Sequence, residues 1–260
     1  MRWEEQTAAE LAAKDRTRTV ICLPLGSVEQ HGHHLPVGTD TMLAQAVVLK
    51  AAEELEDVLV LPPPWYGFSA HHMRFAGSVT LRAETLMALC EDIVGSVVRH
   101  GFRRILIVNG HGGNAGIIDV LAATLGHRHY GLARIATLTY FTLAREAIAA
   151  LRRSAPGGMG HACEFETAMM QVVKPETVHL ERAATTYPDP GSRYLTTDLL
   201  GGQAVRVYHD FADLSPTGTL GDPSLATPQA GERFFAASVE ALRAFIEDFR
   251  GWTIPGAANG

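Results

Sequence analysis

Three short stretches of the chain carry the residues that could do chemistry. The first, Gly26 to Asp40, gathers Glu29, His31, His34 and Asp40. The second is Asn109-Gly110-His111-Gly112-Gly113-Asn114, and the third is His161-Ala162-Cys163-Glu164-Phe165-Glu166-Thr167. Imidazole and carboxylate together suit Zn, Mn, Fe or Ni. Glu29 and His31 are two residues apart, so an extended chain puts both side chains on one side. On a regular helix Glu164 and Glu166 lie roughly 200° apart. Only one of them can then face His161, unless the helix starts near Glu164 and leaves His161 in a loop. The bland alternative is a set of polar turn caps, with acidic residues favoured at a helix start by its dipole. Taken together, the clusters point to a site, because polar groups gather where they have work to do. Cys163 beside His161 reads as an inert thiol, since neighbours two apart on a helix do not face each other.

Something must bring these stretches together, and the hydrophobic pattern says what. Thr19 to Leu25, Val58 to Leu61, Arg104 to Val108 and Leu132 to Leu138 read as short buried strands. Asp40 to Glu54, Ala83 to His100, Gly116 to Leu125, Phe141 to Leu151, Phe165 to Val173 and Gln229 to Phe249 read as helices. Alternation of this kind requires crossover connections. The expectation is an α/β fold: one three-layer α/β/α domain with a mostly parallel central sheet over residues 1–250, and a tail at 251–260. In such sheets the site lies beyond the carboxyl ends of the strands. The first two clusters follow the first and third strands at once. Thr185 to Thr227, rich in Gly, Pro, Thr and Asp, is too long for a plain connection and is expected to be a functional or interface loop.

Composition sets the outer limits. Of 260 residues, 47 % are apolar and 19 % charged, which excludes intrinsic disorder. The formal net charge of −6 argues against a nucleic-acid partner. No run of about 18 apolar residues suggests a membrane span. Three widely spaced cysteines argue against a disulfide framework and for a cytoplasmic protein. Twelve histidines against three cysteines favour metal or proton chemistry.

The run Leu25-Gly26-Ser27-Val28-Glu29-Gln30-His31-Gly32, followed by His34-Leu35-Pro36 and Thr39-Asp40, resembles the signature of the creatininase family. The resemblance continues in order through Trp65-Tyr66-Gly67, His72 ahead of Phe75-Ala76-Gly77, the Asn109–Asn114 run and His161 through Thr167. It implies a two-metal site (Zn, Mn or Fe) and a metal-bound hydroxide that cleaves a C–N bond in a cyclic or simple amide, such as a lactam, formamide or short peptide. By position, Glu29, Asp40 and His111 would hold one ion, and His31 and Asp40 the second, with Asp40 bridging. His161 and Glu166 match the family's histidine and glutamate near the reacting group. His161 is expected to stabilise the oxyanion and Glu166 to carry the proton. Ser27, His72 and Asn109 are expected to touch the small-molecule substrate.

Two departures separate this chain from creatinine-hydrolysing members. Those carry a tyrosine and a ligating glutamate after the metal histidine, where Gly112 and Gly113 stand here. Glu164 is the expected replacement ligand. They also clamp the flat ring with tryptophans from mid-chain, and here none lies between Trp65 and Trp252. A substrate other than creatinine is therefore expected. The alternatives are C–C cleavage that opens a keto-inositol ring, and a non-catalytic metal-binding subunit. The resemblance also implies a homo-oligomer, with hexamers common in the family.

Overall fold

The computed structural model describes residues 1–201 and 205–256. Part of the long Thr185–Thr227 stretch (202–204) and part of the expected tail (257–260) lie outside the described residues. The helices are α1 (Ala8–Ala12), α2 (Thr39–Ala52), α3 (Ala83–Arg99), α4 (Ala115–Arg128), α5 (Tyr140–Leu143), α6 (Arg145–Leu151), α7 (Glu164–Val173), α8 (Phe211–Leu214) and α9 (Pro228–Gly251). The strands are β1 (Val20–Leu25), β2 (Val58–Val60), β3 (Arg104–Asn109), β4 (Arg134–Thr139), β5 (Met159–His161) and β6 (Leu220–Gly221).

Four strands form one parallel sheet in the order β2-β1-β3-β4. Side-chain alternation along β1 sorts the core into two layers. Ile21, Leu23 and Leu25 pack with Leu86, Cys90 and Val94 of α3 and Ile118 and Leu121 of α4. Val20 and Cys22 face the other way, toward α2, α7 and α9. The expected three-layer, mostly parallel fold is what the chain adopts. β5 and β6 pair antiparallel outside this sheet.

The expected helix from Phe141 to Leu151 is in fact two, α5 and α6, separated at Ala144. The tail is anchored at its start. Trp252 packs edge-on against Phe245 and Phe249, and Arg134 lies over its ring. Among the described residues no helix is long and apolar enough to cross a membrane.

The register of β1 and β3 matters most for the site. Leu25 pairs with Asn109, so both strands end at the same level. The Gly110 N–H donates to the Leu25 carbonyl at 2.8 Å. The two loops that follow must therefore leave the sheet side by side.

Candidate metal centre

The loop after β1 is pinned at both sides. The Glu29 N–H donates to the Val37 carbonyl, and the Val79 N–H donates to Val28. This turns Glu29 and His31 inward, next to Asp40 in the first turn of α2. Glu29, His31, Asp40 and His111 are all at most 3 % exposed. His111 Nδ1 lies 2.9 Å from Asp40 Oδ2 and 3.2 Å from Glu29 Oε2. His31 Nε2 lies 3.1 Å from Asp40 Oδ1 and 3.7 Å from Glu166 Oε1. Asp40 thus gives one oxygen to each imidazole.

Backbone carbonyls settle which nitrogen carries the proton, because a carbonyl only accepts. His111 Nε2–H donates to Phe68 O at 2.9 Å, which turns Nδ1 toward the carboxylates. His31 Nδ1–H donates to Glu29 O at 3.2 Å, which turns Nε2 toward Asp40. Imidazole nitrogens that face carboxylate oxygens make a metal's donor set once their protons are displaced. Among the described residues His31 Nε2 and Asp40 Oδ2, both buried, have no hydrogen-bond partner of good geometry. Glu29, His31 and Asp40 offer ligand atoms within 4.8 Å of one another, and so do His31, His161 and Glu166. The residues fit divalent ions.

Burial opposes charge on both imidazoles, but the carboxylates prevail. Asp40 and Glu166 raise the pKa of His31 well above its ordinary value, and Glu29 and Asp40 do so for His111. Burial would raise Asp40, yet His31 and His111 hold it below the ordinary carboxylate range. Burial raises Glu29, with His111 opposing and Asp40 adding. In the metal-free protein the carboxylates thus favour a second proton on each imidazole, on the nitrogen that faces them, and a metal must displace it. Metal titration at pH 7 is therefore expected to release protons, and apparent affinity to rise between about pH 6 and 8. Calorimetry in buffers of different ionisation heat checks this. Uptake without proton release would show the imidazoles already neutral.

His161 ends β5 and is followed by Ala162 at φ +49°, the single non-glycine residue with positive φ among the described residues. That turn frees His161 from α7, which starts at Glu164. His161 Nε2–H donates to the Gln30 carbonyl at 2.6 Å. Its bare Nδ1 faces Glu29 Oε1 at 3.5 Å. Burial lowers its pKa well below the usual value, and it is neutral. His161 therefore has no N–H to offer an oxyanion, which corrects the role expected for it.

His72 is its complement. Gln30 Nε2 donates to Gly218 O at 3.3 Å and to His72 Nδ1 at 2.9 Å. The proton of His72 is then on Nε2, 3.3 Å from Glu29 Oε1. His72 is fully buried, and burial together with neighbouring imidazoles depresses its pKa strongly. It is a neutral N–H donor aimed into the site.

Three other expected roles need correction. The Glu164 carboxylate accepts hydrogen bonds from the backbone N–H groups of Arg153 and Ser154 at 2.8–3.2 Å. Among the described residues it belongs to none of the candidate ligand groups, and its hydrogen bonds tie the chain before β5 to α7. Glu166, on the opposite side of α7, faces His31 instead. Asn109 spends its amide on its own loop: Nδ2 donates to His111 O and Thr139 Oγ1, and Oδ1 accepts from His111 N and Asn114 Nδ2. It shapes the His111 turn and has nothing left for a substrate. Ser27 is fully buried behind Ser69 and donates to its hydroxyl, which in turn donates to Glu29 Oε2 at 2.6 Å.

Sequence reasoning did not single out Ser69, Gln30 as a tautomer lock, or Phe211 of α8. The Phe211 ring lies 4.3 Å from that of His72 and 5.3 Å from that of His161. The long loop that carries Phe211 thus walls one side of the site. Arg74, ion-paired to Asp210 and Asp213, fastens that segment to the turn bearing His72.

Gly113 is a glycine by necessity. A Cβ there would overlap His111 Nε2 and meet the Phe68 carbonyl oxygen at 2.6 Å. Gly113→Ala is expected to part this hydrogen-bonded pair and weaken metal binding by roughly 10–100-fold, the usual effect of losing a ligand's outer support. Equilibrium dialysis of the variant measures it, and unchanged affinity would refute it.

Comparison with known proteins follows the same lines. The Creatininase family profile, described as creatinine amidohydrolase, matches residues 4–246. A mycofactocin precursor peptide peptidase of Mycobacterium tuberculosis (strain CDC 1551 / Oshkosh) is 36 % identical over 233 residues, covering 86 % of this chain and 83 % of that protein. The solved structure of a manganese creatininase superposes with a TM-score of 0.79 at 27 % identity, covering 95 % of this chain and 97 % of that one. A creatininase variant in a Zn-Zn form has the same TM-score, identity and coverage.

Proposed function

The chain belongs to the creatininase family of metal-dependent hydrolases, and from that premise we propose that it cleaves a C–N bond in a short peptide with two divalent ions. The observation that carries the reading is Asp40, which presents one oxygen to His31 and the other to His111 inside a buried set of donors. Glu29, Asp40 and His111 would hold one ion, and His31, Asp40 and Glu166 the other. When bound, such ions polarise a carbonyl and lower the pKa of water toward neutrality.

The chain's own residues supply the proton handling. The bare Nδ1 of His161 accepts a proton from water and returns it to the leaving nitrogen. The Nε2–H of His72, fixed by Gln30, donates toward the carbonyl oxygen as its charge develops. A storage site needs ligands but neither of these two groups, so their presence supports catalysis. Phe211 adds an apolar wall. The peptide reading is supported by the 36 % identity to a peptide peptidase, against 27 % to creatininase structures. Cytoplasmic residence is supported by three buried free cysteines, and self-association by exposed Trp65 and Tyr66.

The test is a substrate panel on purified protein stripped of metal and reloaded with Zn or Mn. Short peptides are expected to be cleaved only after reloading, with creatinine turned over at least about 100-fold more slowly, a gap a dedicated pocket readily creates. Full cleavage by stripped protein, or a preference for creatinine, would overturn the proposal.

A further inference from the structure

One imidazole at this site has no task so far. His71 precedes His72 in the turn Ala70–His72. One ring nitrogen of His71, one of His111 and a carboxylate oxygen of Glu29 lie within 4.8 Å of one another. The His71 ring is held by packing alone. It lies parallel to His111 at 5.7 Å and 7°, and edge-on to Phe211 at 5.0 Å. Among the described residues no protein group hydrogen-bonds to its ring nitrogens. A histidine kept in place by its carbon faces, with both nitrogens unspent beside a carboxylate and another imidazole, has the standing of a ligand.

The loop after His111 explains why a ligand is needed from elsewhere. Gly112 and Gly113 offer no side chain, and a Cβ on Gly113 would meet His71 Cε1 at 2.7 Å. His71 already fills the space that a side chain from that loop would enter. His72 cannot take the part, because its Nδ1 is occupied by Gln30 and its Nε2 carries the proton. We propose that His71 is a protein ligand of the ion held by Glu29, Asp40 and His111. This rests on the two-metal reading above. It has a consequence for metal choice: a second imidazole in place of a further carboxylate favours Zn, Co or Ni over Mn at that position.

The experiment titrates Co(II) and Zn(II) into metal-free full-length protein and reads affinity, stoichiometry and the visible spectrum of the cobalt form. His71→Phe keeps the stacked ring and removes both nitrogens. It is expected to weaken one of the two ions by roughly 10-fold or more and to alter the cobalt bands of that site alone, an effect no smaller than loss of an outer partner. His71→Gln, read in parallel, covers the case in which phenylalanine does not fold. His127→Ala, an exposed histidine elsewhere, should change nothing. His111→Ala tests the underlying reading and should lose that ion outright. If His111→Ala loses the ion while both His71 variants keep wild-type affinity and spectrum, His71 is only a packing partner and the proposal falls. If His111→Ala also keeps both ions, the two-metal reading itself falls.

Discussion

Replacing Asp40 with alanine is expected to give a folded protein that retains neither ion and shows no turnover. Among the described residues Asp40 is the one carboxylate within 3.1 Å of two imidazole nitrogens, one on each side. Without it, each ion would lose a ligand and the group placed to join them. The loss in affinity should exceed the roughly 10–100-fold typical of an outer-shell change. The fold should survive, because removing the acid from the first turn of α2 costs only about 0.3–1 kcal/mol of helix-dipole stabilisation. His31 and His111 can also shed their protons once the charge that raised their pKa values is gone. Elemental analysis after dialysis, with a thermal melt on the same sample, separates the two effects. A variant that keeps two ions per chain would remove Asp40 as the bridge.

The second large effect contrasts two glutamates one residue apart from a shared neighbour. Glu166→Gln is expected to leave about one ion per chain and to cut turnover by more than the roughly 10–100-fold of an outer-partner change, because the ion that Glu166 would hold is lost. Its melting temperature should hardly move, since its remaining contacts are weak bonds from Cys163 N at 3.4 Å and Cys163 Sγ at 3.7 Å. Glu164→Ala should do the reverse. It strands the buried backbone amide of Ser154, at about 1–3 kcal/mol for an unsatisfied group, and frees the partly buried amide of Arg153. Stability should drop while metal content stays at wild-type level. Metal analysis and melts of both variants decide the matter. Metal loss in Glu164→Ala with none in Glu166→Gln would invert the assignment.

These two residues show where the sequence stops being legible. Helical geometry says that Glu164 and Glu166 point in opposite directions. It does not say which direction leads to the metal, because that depends on how α7 docks against α2 and on the kink at Ala162 that sets its start. Asn109 and Ser27 depart from expectation for a related reason. Their position beside a cluster is visible in the sequence, but the partners that use up their polar atoms, Thr139 and Asn114 for one and Ser69 for the other, come from other segments. His71 could have been suspected from its neighbour His72, yet nothing local distinguishes a surface imidazole from one stacked on His111.

The amino-acid order alone determined the layered α/β architecture, because alternating short apolar strands and amphipathic helices admit few other packings. It also pointed to the loops after β1 and β3 as carriers of the candidate site, since parallel strands expose their carboxyl ends to one crevice. Tertiary structure decided the rest: which glutamate faces inward, which nitrogen of each histidine turns toward the carboxylates, and which loop supplies the ligand that Gly113 lacks. Those choices rest on hydrogen bonds and ring contacts between residues far apart in the chain, such as Gln30 with His72 and Phe68 with His111. Such contacts leave no periodic trace in the sequence, because orientation at a site is set by distant partners and not by near neighbours.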